Sequence, residues 1–279
     1  MGGIKIVTDS ASDLAPDLAE QHDITVVPLS IRFGETEFLD RRDLTPDEFY
    51  QRCSTSSVLP ETAAPSPGAF QRTFEEASAA GRDGVVCICI SAALSGTFQA
   101  ASTAAQAVAS DLPVRVIDSG SITMGQGLIA LSAARLSAEG KDIEDVAGLA
   151  RELVTRTRVF GALDTLDYIK KGGRIGGASA FLGSLLSIKP IIEVRDGVVQ
   201  AESRQRTRTR SLNYLVDKVR QQETVEQLAI LNAAAPDIEN LLTLMAEVFP
   251  REETIVADVG PIIGAHSGPG TVGVTFIVP

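Results

Sequence analysis

The stretch Val85-Val86-Cys87-Ile88-Cys89-Ile90-Ser91-Ala92-Ala93-Leu94-Ser95-Gly96-Thr97 decides the fold. A continuous β-rich apolar run leads into a loop of small and hydroxyl-bearing residues, and a helical pattern follows over 95–109. A strand without polar alternation is buried on both faces, as in a parallel sheet covered by helices. The same rhythm extends in both directions. Strands are expected over 4–7, 25–31 and 114–117, and helices over 11–21, 68–80, 122–137 and 143–155. Ser10 or Ser12 is a candidate cap for the first helix, since a short side-chain oxygen can accept from free N–H groups of the first turn. Residues 32–39 turn at Gly34 as a small hairpin, and Thr45-Pro46-Asp47-Glu48 reads as a capping box with proline at the first helical position. Strand–helix alternation of this kind implies βαβ units.

Past residue 156 the pattern changes. A strand over 159–163 and a short helix over 166–171 precede the glycine-rich break Gly172–Gly177, and a helix is expected over 178–186. Asp196-Gly197 supplies the positive-φ positions of a hairpin turn between strands 188–195 and 198–203. A long helix over 207–222, strands 228–232 and 254–259 around a helix over 238–248, and a closing strand over 271–279 complete the chain. The expected fold class is α/β in two domains. Residues 1–156 form a parallel sheet with flanking helices, and residues 157–279 a mixed sheet with helices on one side.

Composition narrows the function. The 279 residues are 44% hydrophobic and 22% charged, enough to build a core rather than a disordered chain. The net charge is −11, aromatics are 5% and Trp is absent. Such a surface repels nucleic acid and anionic membranes and offers no aromatic stacking platform. No apolar run approaches the ~18 residues of a membrane span. The first ten residues lack a signal-peptide pattern, and three cysteines make no disulfide framework, so a cytoplasmic protein is expected.

Most motif readings close quickly. Gly268-Pro269-Gly270-Thr271-Val272-Gly273 matches the dinucleotide fingerprint but runs into a strand rather than a helix, so it reads as a turn. Cys87 and Cys89 share a strand face and lack the further ligands zinc needs, so buried core thiols are favoured. No nucleophile elbow occurs. His22 reads as a solvated helix end. His266 lies in a glycine-rich loop over 260–270 that lets backbone approach closely, and it is either structural or a ligand donor. Two hydroxyl-bearing loops remain, Thr62–Gly68 and Ser91–Thr97. The second stands at the carboxyl end of a parallel strand and before a helix N-terminus, which suits an anion as well as simple capping by Ser95. Arg204, Arg206, Arg208 and Arg210 alternate in the one dense basic cluster. It is either a solvated helix start or a docking site for an acidic partner or a phosphate.

Taken together, the motifs resemble the DegV family of bacterial fatty-acid-binding proteins. The resemblance rests on Val7-Thr8-Asp9-Ser10, Thr62 with Pro65-Ser66-Pro67-Gly68, Leu94-Ser95-Gly96-Thr97-Phe98-Gln99, and Asp118-Ser119. It continues through Tyr168-Ile169-Lys170-Lys171-Gly172-Gly173-Arg174-Ile175, Ser187-Ile188-Lys189-Pro190-Ile191, and Gly264, His266, Gly268, Pro269 and Gly270. It implies a long-chain fatty acid such as palmitate or oleate bound between two α/β domains, with no other cofactor and no metal. Thr62 and Ser95 would hold the carboxylate, and His266 would join the same polar network. Gly96, Thr97 and Ser119 stand in the matched motifs and complete the candidate ligand set. The resemblance further implies a binding protein rather than an enzyme, presenting its acyl chain to a fatty acid kinase for acyl-phosphate formation. Arg206, with neighbours Arg204 and Arg208, is the candidate contact for that kinase. The chain departs from the family pattern at Ala63 and Ala64, where a hydroxyl and an amide are usual. One rival reading is a hydrolase or related enzyme acting on a lipid or small acid through Ser95 and His266. A second is a regulatory module docking through the arginines.

The bound state is physically reasonable. An isolated buried carboxylate is costly unless donors meet it. Each buried methylene contributes ~0.8 kcal/mol, so a long tail could supply on the order of 10 kcal/mol before ordering costs.

Overall fold

The structure, a computed structural model, describes residues 2–56, 58–182 and 188–279. β1 (Ile4–Asp9) runs into a 3-10 turn over Ser10–Ser12, capped by Asp9, whose carboxylate accepts from Ala11 N–H. The single helix expected over 11–21 is interrupted, and α1 (Pro16–Gln21) starts late. Asp13 takes φ 55° and ends the turn, while Pro16 keeps Ala15 extended. Neither serine caps α1, and Ser10 Oγ instead accepts from Leu29 N–H at 3.0 Å. The strand expected over 25–31 divides into β2 (Ile24–Val27) and β3 (Ser30–Phe33), because Pro28 has no N–H for a ladder. β4 (Thr36–Leu39) returns antiparallel to β3 around Gly34 at φ 60°. α2 (Pro46–Thr55) carries the expected capping box between Thr45 and Glu48.

β5 (Glu61–Ala63), α3 (Pro67–Ala79), β6 (Gly84–Cys89), α4 (Thr97–Ala107), β7 (Val114–Asp118), α5 (Thr123–Ala138) and α6 (Ile143–Arg156) follow. Every residue of β6 is buried, as its unbroken apolar run requires. Then come β8 (Thr157–Ala162), α7 (Asp167–Lys171) and a 3-10 turn over Gly176–Phe181. That turn replaces the start of the helix expected over 178–186, and 183–186 lie outside the described residues. β9 (Lys189–Arg195) and β10 (Val198–Gln205) form the hairpin with Asp196 and Gly197 both at positive φ. α8 (Arg208–Arg220), β11 (Gln227–Asn232), α9 (Ile238–Met245), β12 (Thr254–Asp258), α10 (Pro261–Ser267) and β13 (Val272–Ile277) end the chain. The glycine-rich segment read as a loop is thus largely the helix α10. Pro261 opens it and Gly268, at φ 77°, closes it, the usual asymmetry of helix ends.

Among the described residues the strands form three sheets. The first is parallel, in the order β2-β1-β6-β7. The second is mixed, in the order β10-β9-β8-β13-β11-β12, with only β11 and β12 parallel. The third is a small antiparallel sheet, β4-β3-β5. One face of the parallel sheet packs Val7, Val85, Cys87 and Cys89 against Phe70 and Phe74 of α3 and the alanines of α4. The two cysteines are free thiols with Sγ atoms 3.8 Å apart, the core role expected of them. The other face packs Ile4, Ile6, Val86 and Ile88 against α5 and α6. In the mixed sheet, Phe160, Val274 and Phe276 meet α8 and α9.

The opposite face of the mixed sheet is not open, as one-sided coverage would leave it. α5 packs against β8, β11 and β13 while also lying on β1 and β6. Gly125 and Gly127 make this double contact possible. A Cβ on Gly125 would lie 2.6 Å from Val159 Cγ2, and one on Gly127 would lie 2.9 Å from Ser12 O. Gly125→Val should therefore destabilise the fold by about 1–3 kcal/mol, read as a lower urea midpoint with unchanged slope.

Two buried carboxylates, Asp9 and Asp13, brace the turns around the end of β1, and a third, Asp40, is buried near them. Asp9 Oδ2 accepts from Ile90 N–H at 2.8 Å and so fixes the start of the β6–α4 loop. Asp13 Oδ1 accepts from Gly260 N–H at 2.8 Å and from Arg41 Nη2 at 3.0 Å, and Arg41 Nη2 also donates to Asp258 O at 2.7 Å. Tyr50 donates its hydroxyl to Val259 O at 2.9 Å. The chain entering α10 is thereby clamped. Burial pushes the carboxyls of Asp9 and Asp40 up to about 7. In the unfolded chain such groups titrate near ~3.9, so the folded state holds the extra protons between those values. Their stabilising effect is full below the unfolded value and is lost as pH rises through about 7. Asp40→Asn should flatten the fall in stability over that window, measured as urea midpoints across the pH series. An unchanged slope would show that Asp40 does not carry it.

Candidate ligand-binding site

The parallel sheet reverses its direction of winding at β1, with β2 on one side and β6 on the other. Ligands in open α/β sheets gather at the carboxyl ends of strands beside such a reversal. A cavity of about 120 Å³ lies there, walled by Leu29 after β2 and by Ile90, Leu94, Ser95 and Gly96 after β6. Thr62, Ala63 and Ala64 of β5 and its exit form another wall. Ile122, Ile169, Ile192, Val199, Ile262 and Ile263 supply aliphatic surface, and His266, Ser267 and Arg174 complete the lining. Residues from both sides of position 156 contribute.

The polar groups collect at one end. Thr62 lies on a three-residue strand rather than in a loop, with Ile31 of β3 opposite it. Its Oγ1 is 3.0 Å from His266 Nε2, which α10 delivers from 204 residues away in sequence. Burial, followed by the charge of Arg174, lowers His266 to about 4, so the ring is neutral at neutral pH. Its Nδ1 has no hydrogen-bond partner among the described residues and packs against Gly172, where a Cβ would come within 2.1 Å. A lone pair is cheaper to leave there than an N–H, so the tautomer carrying its proton on Nε2 is favoured. His266 then donates to Thr62 Oγ1, and the Thr62 hydroxyl proton is free for a ligand.

Ser95 is half-buried. Its Oγ lies 2.8 Å from Thr97 Oγ1 and accepts from Thr97 N–H at 3.3 Å. Gly96, not Ser95, is the N-cap of α4, and both line the cavity. The positive end of the α4 dipole thus stands in the wall. Thr97 is buried behind Ser95 and does not line the cavity. Ser119 lies apart from it as well: fully buried, it exchanges hydrogen bonds with the backbone of Ser121 and closes the β7–α5 turn. Ala63 and Ala64 both face the cavity.

Arg174 is the site residue that sequence reasoning missed. Its Nη1 donates to Gly172 O at 2.7 Å and its Nε to Leu94 O at 3.2 Å, which ties the glycine-rich turn to the Ser95 loop. It places a cation at the rim beside His266. The available signal was a lone arginine inside a glycine-rich turn.

Behind the first cavity lies a smaller lobe of about 40 Å³, which shares Ile122, Ile192, Ile263 and Ser267 with it. Its walls include Val159, Gly161, Leu163, Val194, Leu231, Val259 and Gly273. The site therefore has a polar end and an apolar recess.

The arginine segment separates into distinct roles. Arg208 makes a two-pronged ion pair with Asp237 at 2.8 and 2.9 Å, so it is occupied within the fold rather than free to dock. Arg204 lies over the Phe181 ring and donates to Ala180 O. Arg206 is exposed between β10 and α8, with no side-chain partner among the described residues. The Ser95–His266 hydrogen bond that a nucleophile–base pair would use is not formed: Ser95 is engaged with Thr97, and His266 with Thr62. Among the described residues no group of side chains is arranged to hold a metal ion, and no helix is long and apolar enough to cross a membrane.

Known proteins resemble this chain over nearly its whole length. A DegV domain-containing protein of Mycobacterium tuberculosis is 37% identical over 275 residues, covering 97% of this chain and 96% of that one. A DegV family protein of Thermus thermophilus, described for its fatty acid binding, superposes with a TM-score of 0.91 at 33% identity, over 99% of this chain and 100% of the other. A stearic-acid-binding protein of Eubacterium ventriosum gives 0.89 at 28% identity over 98% of both chains. The family model described as "Uncharacterised protein, DegV family" matches residues 3–278, and the chain belongs to that family.

Proposed function

We propose that this protein binds one long-chain fatty acid such as palmitate or oleate, with the carboxylate at the polar end of the cavity and the tail in the apolar lobes. The observation that carries this reading is the junction itself. Thr62, Ser95, His266 and Arg174 line a cavity whose walls are otherwise mostly aliphatic and which shares a wall with a second apolar lobe. The family relatives described as binding fatty acids support the ligand class.

The carboxylate accepts from the Thr62 hydroxyl, which His266 orients, and from the Ser95 hydroxyl. The N-terminus of α4 and Arg174 offset its charge. A neutral His266 suits this role, because it donates without adding a second cation that would have to be neutralised when the site is empty. Two hydroxyls and a fixed dipole hold an anion but do not transform it, so the proposed role is binding rather than catalysis. The proposed carrier works in the cytoplasm, residues 1–156 and 157–279 acting as the two halves that close on the lipid. It hands the acyl carboxylate to a fatty acid kinase that docks at Arg206.

Mass spectrometry of an organic extract should find close to one fatty acid per chain. Thr62→Ala and Ser95→Ala should each weaken palmitate binding by about tenfold or more, since each removes a hydrogen bond to a charged group worth ~1.5–3 kcal/mol. Lipid-free protein that takes up neither palmitate nor oleate would sink the proposal. Arg206→Glu should leave bound lipid unchanged while reducing acyl-phosphate formation in a reconstituted kinase assay. Equal activity of the two proteins would remove Arg206 from the interface.

A further inference from the structure

β8 and β13 are the central pair of the mixed sheet, and one residue in from the end of that pairing Gly161 stands opposite Gly273. Both line the inner apolar lobe, on the sheet face turned toward α5. Paired glycines are an unfavourable choice here. Glycine loses the most backbone freedom on folding and gives a sheet no side chain to pack. Within strands it marks places where something must approach the backbone closely.

The two glycines have different reasons. Neither has a positive φ, so backbone conformation does not demand glycine at either. A Cβ on Gly273 would come within 2.7 Å of Phe160 O, so packing excludes a side chain there. A Cβ on Gly161 would meet Ile192 Cγ1 at 3.4 Å and Leu163 Cδ1 at 3.5 Å, which is ordinary contact. Neither conformation nor packing therefore requires glycine at 161. Its effect is to leave space. Val159 and Leu163, its neighbours on the same face, already fill their share of the lobe with side chains.

We infer that Gly161 sets the depth of the acyl cavity, so that the distal carbons of the bound fatty acid lie on its bare backbone and chain-length preference is determined there. This rests on the fatty-acid reading of the site. Gly161 is remote from the polar end, which is built from β5, α10 and the β6–α4 loop, so a side chain there should discriminate by tail length and not by head group.

The test compares delipidated wild type, Gly161→Val and Gly161→Ala for binding of decanoate, dodecanoate, tetradecanoate, palmitate and stearate by calorimetric titration. A valine side chain occupies the room of about three methylenes, each worth about fourfold in affinity. Gly161→Val should weaken palmitate and stearate roughly 60-fold while leaving decanoate and dodecanoate within about twofold. Gly161→Ala should show the same trend at about fourfold, and it keeps the test alive should the valine variant fail to fold. A uniform loss across all five acids would mark a merely structural position, and an unchanged profile would place the tail elsewhere. Either result overturns the inference while leaving the carrier reading intact. Wild type that binds none of the five would overturn both.

Discussion

Helix α5 is the element on which the rest of the molecule depends. Residues 123–134 are all buried, so only the last turn of the helix, from Arg135, is offered to water. A helix apolar all round must be covered all round. The parallel sheet covers one side and the mixed sheet the other, so the two sheets are joined through one hydrophobic layer rather than by a polar interface. Gly125 and Gly127 bring that layer to near-backbone contact. The cavity opens where the layer ends. Ile122, just before α5, lines both lobes, and Thr123 begins the helix at φ 48°, a conformation that a β-branched residue rarely adopts. Strain of this kind costs ~1–3 kcal/mol and persists only where the surroundings enforce it. Here the enforcing structure is the double packing of α5, and the strained residue lies against the inner lobe.

Electrostatics near the site follow a similar logic of support from behind. The chain's charge of −11 disfavours an anionic ligand at long range, so attraction has to be local. Among the described residues the cavity's lining contains no carboxylate. The buried acids Asp9 and Asp13 are one step removed: they hold the Ile90 and Gly260 N–H groups and thereby the chains that lead to Ser95 and His266. Arg41 faces both Asp13 and Asp40, which offsets part of the cost of their burial. The acids thus shape the site without competing for its ligand, and Arg174 is left as the cation at its rim.

What was legible in the sequence was local. The Thr45–Glu48 capping box, the Asp196-Gly197 hairpin and the fully buried β6 each depend on a few adjacent residues, and each is present as read. The misreadings fall where distant partners decide. β5 is a strand only because β3 pairs with it, so Thr62 could not be told from a loop residue. α10 is seven residues long and carries Gly264 inside it. Its stability comes from packing and from the clamp at Asp13 rather than from helix propensity. Arg208 reads from the sequence as one of a basic cluster open to solvent or a partner, but Asp237, 29 residues away, holds it. Ser119 has the right chemistry and faces the wrong way, held by its own turn. Thr62, Ser95 and His266 line one cavity although no spacing rule relates them; the matched family motifs singled them out before any geometry did.

The orientation of the site separates a carrier from a store. Gly96 and Arg174 are exposed, whereas Gly161 is half-buried and Leu163 and Gly273 are buried. On the proposed reading, the carboxylate therefore sits near the surface and the methyl end lies deepest. Most of the binding free energy then comes from methylenes that no partner needs to touch, while the atom to be modified stays within reach of solvent. A macromolecule approaching the rim could act on the carboxylate with the tail still in place, and the reactive end would never require the tail to be exposed to water. The reverse orientation would bury the charge in the inner lobe, where only the hydroxyls of residues such as Thr123 and Ser267 stand among aliphatic side chains, away from Arg174, at a greater cost. The polar end thus supplies direction more than affinity, which is why its groups are few, mostly neutral and held in place by contacts behind them.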